Sequence, residues 1–237
     1  MAKQVWKAGN MLYPLPVVMV TVRDREGKAN IITVAWAGTV CTNPPMLSIS
    51  VRPERYSHRV LMETKEFVVN LTTEKLVRAT DYCGVKSGRD VDKFKVTGLT
   101  ETPAEKVGAP LIEESPVNIE CKVKEIHHLG SHDLFLADVV AVHADESYMN
   151  EKGKFELSKA DPIVYSHGEY YCRLCIKVTL KSFLPLSGQG LYPSRKIISS
   201  LNVLPLLWNA SMICLDSISC FDFLNASSLA SRASCFC

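Results

Sequence analysis

Ser50-Val-Arg-Pro-Glu-Arg-Tyr-Ser-His58 gathers two arginines, two serines and a histidine into one short stretch. If Ser57 opens a helix, the free amides at that helix start and the guanidinium forks of Arg52 and Arg55 are what a phosphate monoester needs. The same residue types also make a solvated, charged turn. Upstream, Thr33-Val-Ala-Trp-Ala-Gly-Thr39 surrounds one Trp with small residues at the end of a strand. Small side chains let backbone amides approach a flat or anionic ligand closely; they equally leave room for Trp36 to fill a core beside a turn. A third segment, Cys83-Gly-Val-Lys-Ser-Gly-Arg-Asp-Val-Asp-Lys-Phe94, is a glycine-containing loop entering a one-turn helix, with Asp90 as candidate N-cap. Lys86, Arg89 and Lys93 could reach an anion there, although composition alone reads as an exposed loop.

Other chemistries find less support. His127, His128 and His132 have no acidic or cysteine partner at ligand spacing, and a strand sends neighbouring side chains to opposite faces, so no metal is expected. Cys172-Arg-Leu-Cys175 is one Cys-x-x-Cys pair without a second, which does not make a zinc site. Gly188-Gln-Gly190 lacks the third glycine of a dinucleotide loop and follows no convincing strand. No Ser/His/Asp set is visible.

The elements that must hold these residues are mostly strands. Val17 to Val22, the turn residues Asp24 to Gly27, and Ile31 to Ala35 read as strand, turn, strand. Met46 to Val51 alternates, with Leu47, Ile49 and Val51 opposite Ser48 and Ser50, as a strand with one buried face does. Ser57 to Thr64 is a short helix capped by Ser57, followed by a strand at Phe67 to Leu71 and a second helix from about Thr73 to Tyr82. From Val117, Ile119, Cys121 and Val123 alternate against Glu120, Lys122 and Lys124; a connection through His127 to His132 and a strand at Leu134 to Val142 complete a long hairpin. Such strands with only short helices predict a β-barrel with helical additions, and no strand, glycine turn, long helix unit supports a Rossmann sheet.

The 237 residues carry a formal net charge of +2, which argues against nucleic-acid binding by bulk charge. That average hides a break. Residues 172–237 hold six Lys/Arg and two Asp/Glu, leaving 21 and 23 for residues 1–171, so the net charge goes from −2 to +4. Six of the nine cysteines lie in that tail. The N-terminus, broken by Pro14 and Pro16, is not a secretory signal, so a cytoplasmic protein with reduced Cys41, Cys83 and Cys121 is expected. The uncharged run between Lys196 and Asp216 contains Pro205, two Asn and three Ser, and no membrane association is expected from it.

The chain up to Tyr171 resembles the flavin reductase-like family of FMN-binding split barrels, which includes flavoredoxins. The resemblance rests on Asn30-Ile-Ile-Thr-Val-Ala-Trp-Ala-Gly38, Leu47-Ser-Ile-Ser-Val-Arg-Pro53 with Tyr56-Ser-His58, and Phe67-Val-Val-Asn-Leu71. It continues in Cys83-Gly with Ser87-Gly-Arg-Asp-Val-Asp-Lys-Phe94, and in Gly130-Ser-His-Asp-Leu-Phe-Leu-Ala-Asp-Val139, all in family order. It implies a mainly β protein with short helices, folded as a split barrel over residues 1–171, and a homodimer binding FMN non-covalently near the subunit interface.

Position by position, it places the Trp36, Ala37 and Gly38 backbone by the flavin ring and Ser50, Val51 and Arg52 along the ribityl and phosphate. Ser57 and His58 would serve the phosphate, while Ser87, Gly88 and Lys93 would lie close to the ring. Thr33, Ala35, Tyr56 and Cys83 complete the cofactor-binding set. His132, preceded by Ser131 where the family has Asp, is the candidate catalytic residue on the nicotinamide side. The implied activity is electron transfer from NAD(P)H through FMN to free flavin or another acceptor; the alternative is a non-enzymatic FMN carrier fed by a redox protein partner. Hydride transfer to a flavin asks mainly for positioning, consistent with the missing triad. The match stops at Tyr171, and the atypical Ser-, Leu- and Cys-rich tail, which need not be structured, reads as translation of an altered frame or as a thiol-bearing or membrane-facing extension.

Overall fold

The computed structural model describes residues 1–172 and the backbone of Lys177–Val178. In chain order the strands are β1 (Leu15–Pro16), β2 (Val18–Arg23), β3 (Ala29–Val34), β4 (Ala37–Cys41), β5 (Met46–Val51) and β6 (Glu66–Leu71). They continue with β7 (Glu101–Thr102), β8 (Leu111–Ile112), β9 (Val117–His128), β10 (Asp133–Ala144), β11 (Val164–Ser166), β12 (Glu169–Tyr171) and β13 (Lys177–Val178). Three short helices, α1 (Tyr56–Thr64), α2 (Val77–Val85) and α3 (Lys93–Thr97), interrupt them.

Seven strands form one antiparallel sheet in the order β3-β2-β6-β9-β10-β5-β4. Residues from strands far apart in that order, Ile32 and Val34 of β3 and Ile49 and Val51 of β5, meet in one apolar cluster with Phe67 and Phe135. The sheet is therefore curled around its core as an incompletely closed barrel, and the expectation of a mainly β barrel with short helices holds. Helix α1 covers the core with Val60 and Leu61, both fully buried.

Local chemistry explains the joints. Asp24 accepts the amides of Glu26 and Lys28 at 3.0 and 2.9 Å, and Gly27 takes φ +88°, closing the β2–β3 turn. Gly130, also at φ +88°, turns β9 into β10, with Leu129 N–H donating to His132 O at 2.9 Å. The histidines 127 and 128 thus belong to the strand, and the connection is only four residues long. Two capping expectations are corrected. Helix α1 starts one residue earlier, with Arg55 at its N-cap and no side-chain cap, because Ser57 turns inward instead. Asp92, not Asp90, caps α3, accepting Lys95 N–H at 3.2 Å. The second helix begins at Val77, after a 3-10 turn at Glu74–Leu76. Among the described residues no helix is long and apolar enough to cross a membrane. Apart from Cys172 and β13, the tail lies outside the described residues.

Candidate functional site

Alternation along β5 divides its residues between core and ligand. Leu47, Ile49 and Val51 face the barrel interior. Ser48 and Ser50 line one cavity, and Arg52, next on that face, lines another, so the two cavities follow each other along the strand. The register is held by Ser50 N–H donating to Trp36 O at 2.8 Å and by Ala37 opposite Ile49.

The first cavity, about 290 Å³, is lined by Arg52, Arg55, Lys86, Arg89 and Lys93 against a single carboxylate, Glu54. Arg52 Nε is buried with no hydrogen-bond partner among the described residues, and its Nη1 stands 3.4 Å from Glu54 Oε1. Ser57 is buried, and its Oγ accepts from Asn30 Nδ2 at 2.7 Å, which leaves the hydroxyl proton available for another acceptor. Gly88 backs onto the same asparagine: a Cβ there would lie 2.2 Å from Asn30 Oδ1 and 2.9 Å from Tyr56 Cδ1, so only glycine lets the loop come this close. Lys28 Nζ holds that loop from outside, donating to Gly88 O at 3.0 Å.

Lys93 ties the loop from within. Its Nζ donates to Ile31 O and Cys83 O at 2.6 and 2.7 Å, linking β3 to α2, and burial lowers the ammonium to about 8. The same burial pushes the Cys83 thiol up to about 12, so it stays protonated and does not act as a nucleophile. Tyr56 also lines this cavity; its ring has Lys28 Nζ 5.2 Å and Arg59 Cζ 5.6 Å from its centroid, and its hydroxyl donates to Asp24 at 3.2 Å.

The second cavity, about 640 Å³, has Ala35, Trp36, Ala37, Gly38, Ser48 and Ser50 on the barrel side and residues 9–13 with Leu15 opposite. Beside it, the His132 ring lies nearly parallel to Trp36, 8° between planes and 6.2 Å between centroids, with Ser131 Oγ 2.9 Å from its Nδ1. The structure thus brings Arg52, Tyr56, Ser57, Cys83, Ser87, Gly88 and Lys93 into one cavity and Ala35 to Gly38 with Ser50 into the next.

Three residues of the expected set are turned elsewhere. Thr33 is buried and donates its hydroxyl to Thr80 O. Val51 lies in the core. The His58 Nε2 is 2.7 Å from Asp133 Oδ2, and Asp133 Oδ1 is 2.8 Å from His128 Nδ1. Burial opposes ionisation of Asp133, but its bonds to His128 and His58 outweigh that and hold the carboxyl below its ordinary value. This clamp, buried at His58 and Asp133 and exposed at His128, joins α1 to the β9–β10 hairpin. Asn30 was absent from the expected set. Its signal was an amide inside the β-branched run of β3, where Asn is disfavoured unless its side chain has work to do.

A family model described as Flavin reductase like domain matches residues 10–172. An uncharacterized protein of Aeropyrum pernix is 31% identical over 156 residues, covering 65% of this chain and 58% of that protein; the chain spans under two thirds of that relative. Among solved structures, a flavoredoxin of Desulfovibrio vulgaris (Miyazaki F) has a TM-score of 0.67 at 31% identity, covering 83% of this chain and 99% of that one. A flavoredoxin from Methanosarcina acetivorans has a TM-score of 0.66 at 28% identity, covering 78% and 96%.

Proposed function

The chain belongs to the flavin reductase like family, and we propose that it is an FMN-binding oxidoreductase carrying electrons from NAD(P)H to free flavin or another acceptor. The observation that carries this reading is the buried Arg52 Nε, without a hydrogen-bond partner among the described residues, in a cavity lined by five cationic side chains and one carboxylate. A buried donor left without an acceptor costs about 1–3 kcal/mol, a cost that a phosphate oxygen would remove. On that ground the residues present fit FMN.

In this reading Arg52 and the Ser57 hydroxyl hold the phosphate, with Asn30 keeping Ser57 as donor. Ser50 lies along the ribityl chain. The Ser87-Gly88 loop with Lys93 lines the phosphate end, in the cavity it shares with Arg52 and Ser57, and Trp36, Ala37 and Gly38 line the ring site in the next cavity along β5. Bound FMN supplies hydride acceptance and electron storage, so the protein need supply no acid or base for that step. His132, held parallel to Trp36, orients a nicotinamide at the ring face. A homodimer with the site near its interface and cytoplasmic residence belong to the same proposal; size-exclusion with light scattering checks the first.

Anaerobic stopped-flow mixing of FMN-loaded protein with NADH and with NADPH tests the activity. Bleaching of the flavin absorbance is expected, and none near physiological nucleotide concentrations would defeat the reductase reading. A second reading, a carrier reduced by a redox protein, is favoured by the name flavoredoxin given to both structures above; it expects reduction by a protein donor and not by nucleotide.

A further inference from the structure

The first cavity holds more positive charge than one phosphate monoester takes up. Its five cationic side chains and Glu54 leave four positive charges in net. A monoester brings about two negative charges at neutral pH, so about two positive charges remain once the cofactor proposed above is in place. The cations are sorted by depth: Lys93 is buried, Arg52 and Arg55 are half-buried, and Lys86 and Arg89 are exposed at the mouth.

The mouth pair is organised. Arg89 Nη1 donates to Glu54 O at 3.1 Å, and Arg89 N–H donates to Ser87 Oγ at 3.2 Å, so this side chain bridges its loop to the turn before α1. Asp90 N–H donates to Ser87 O at 3.1 Å, closing a tight turn that keeps Lys86 and Arg89 on one short loop. A guanidinium has five donors, so one backbone bond leaves Arg89 able to grip a phosphate with a two-pronged contact. Among the described residues neither Lys86 nor Arg89 is ion-paired with a carboxylate.

We propose that Lys86 and Arg89 form a second anion subsite at the mouth of this cavity, which takes the 2′-phosphate of NADPH and makes the protein prefer NADPH to NADH. This rests on the proposed function, since it assumes that the deeper cations are engaged by FMN. A compact pair suits a dianionic monoester, which concentrates its charge in one group, better than the diphosphate that both nucleotides share. The subsite is exposed, so its preference weakens with added salt.

The test uses the full chain loaded with FMN, its flavin content read by absorbance. Failure to take up FMN defeats the cofactor reading and is visible before any nucleotide is added. Calorimetric titration with 2′,5′-ADP and with 5′-ADP at low salt then needs no turnover. The 2′,5′-ADP is expected to bind about tenfold tighter or more, the scale of one hydrogen bond to a charged group. In Lys86→Ala/Arg89→Ala protein of matched flavin content that advantage, and the ratio of kcat/KM for NADPH over NADH, should fall toward one. Equal binding of the two probes by the unaltered protein overturns the proposal, and so does an advantage that survives in the double variant. An acidic protein partner as the true occupant would give the first of these results.

Discussion

Lys93 is held by two carbonyl oxygens in a site where burial lowers it to about 8 from an ordinary value of 10.5. Between those values the unfolded chain keeps a proton that the folded protein has given up. Between about pH 8 and 9, below the range where the buried Cys83 and Cys121 thiols act in the opposite direction, stability of the FMN-free protein should therefore rise with pH, with the Lys93 penalty present in full below about 8. Linkage sets its size at about 3 kcal/mol. Denaturant titrations at several pH values read the slope, and Lys93→Met should flatten it; an equal slope in both proteins would place the effect elsewhere. Arg52→Ala removes the unsatisfied donor and should weaken FMN binding by about 1.5–3 kcal/mol, measured by flavin fluorescence. Unchanged affinity would contradict this placement of the phosphate. Arg52, Ser57, Gly88 and Lys93 line one cavity; the two short stretches that hold them point to an anion through their cations, but composition alone reads the second as an exposed loop, and Gly88 and Lys93 are singled out by the family resemblance. The inward turn of His58 toward Asp133 is not legible, since those residues are 75 positions apart and only the barrel brings them together.

Strand β9 shows what alternation can and cannot say about an element. Ile119, Cys121 and Val123 set against Glu120, Lys122 and Lys124 imply one polar, solvated face. Lys122 and Lys124 are exposed as expected, yet Glu120 is fully buried. The loop at residues 105–107 folds over that end of the strand, and its three amides donate to the Glu120 carboxylate at 2.8, 2.6 and 3.1 Å, with His143 Nε2 alongside. Burial opposes the charge, but those amides and His143 more than offset it, so the carboxyl sits below its ordinary 4.5. Its contribution is present above about 4.5 and lost as the pH falls through the lowered value. Glu120→Ala would leave several buried donors unmet and should cost about 3 kcal/mol or more in denaturant unfolding. A loss under 1 kcal/mol would mean that water replaces the carboxylate. A period-2 pattern cannot reveal this anchor, because a covering loop has no period of its own.

For the whole molecule, the barrel was readable as a class and unreadable as a path. Hairpins β2–β3 and β9–β10 follow from turn residues, whereas the pairing of β2 with β6 and of β5 with β10 joins segments far apart in sequence. No local residue chemistry specifies such partners; they follow from burying one set of apolar faces together. Phe135, fully buried where strands from both ends of the sheet meet, is the corresponding test. Phe135→Ala should cost about 3–5 kcal/mol, read as a lowered denaturant midpoint, and a much smaller loss would mean that the curled core can collapse around the gap.

The division of β5 between core and cavity has one more consequence. A slip of a single residue would exchange its faces, sending Leu47, Ile49 and Val51 toward the ligand and Ser48, Ser50 and Arg52 into the hydrocarbon interior. On the proposed function, refolding to the wrong pairing would therefore give a chain unable to take up FMN, and the yellow colour of a refolded, FMN-supplied sample would count correctly paired molecules without any assay of turnover.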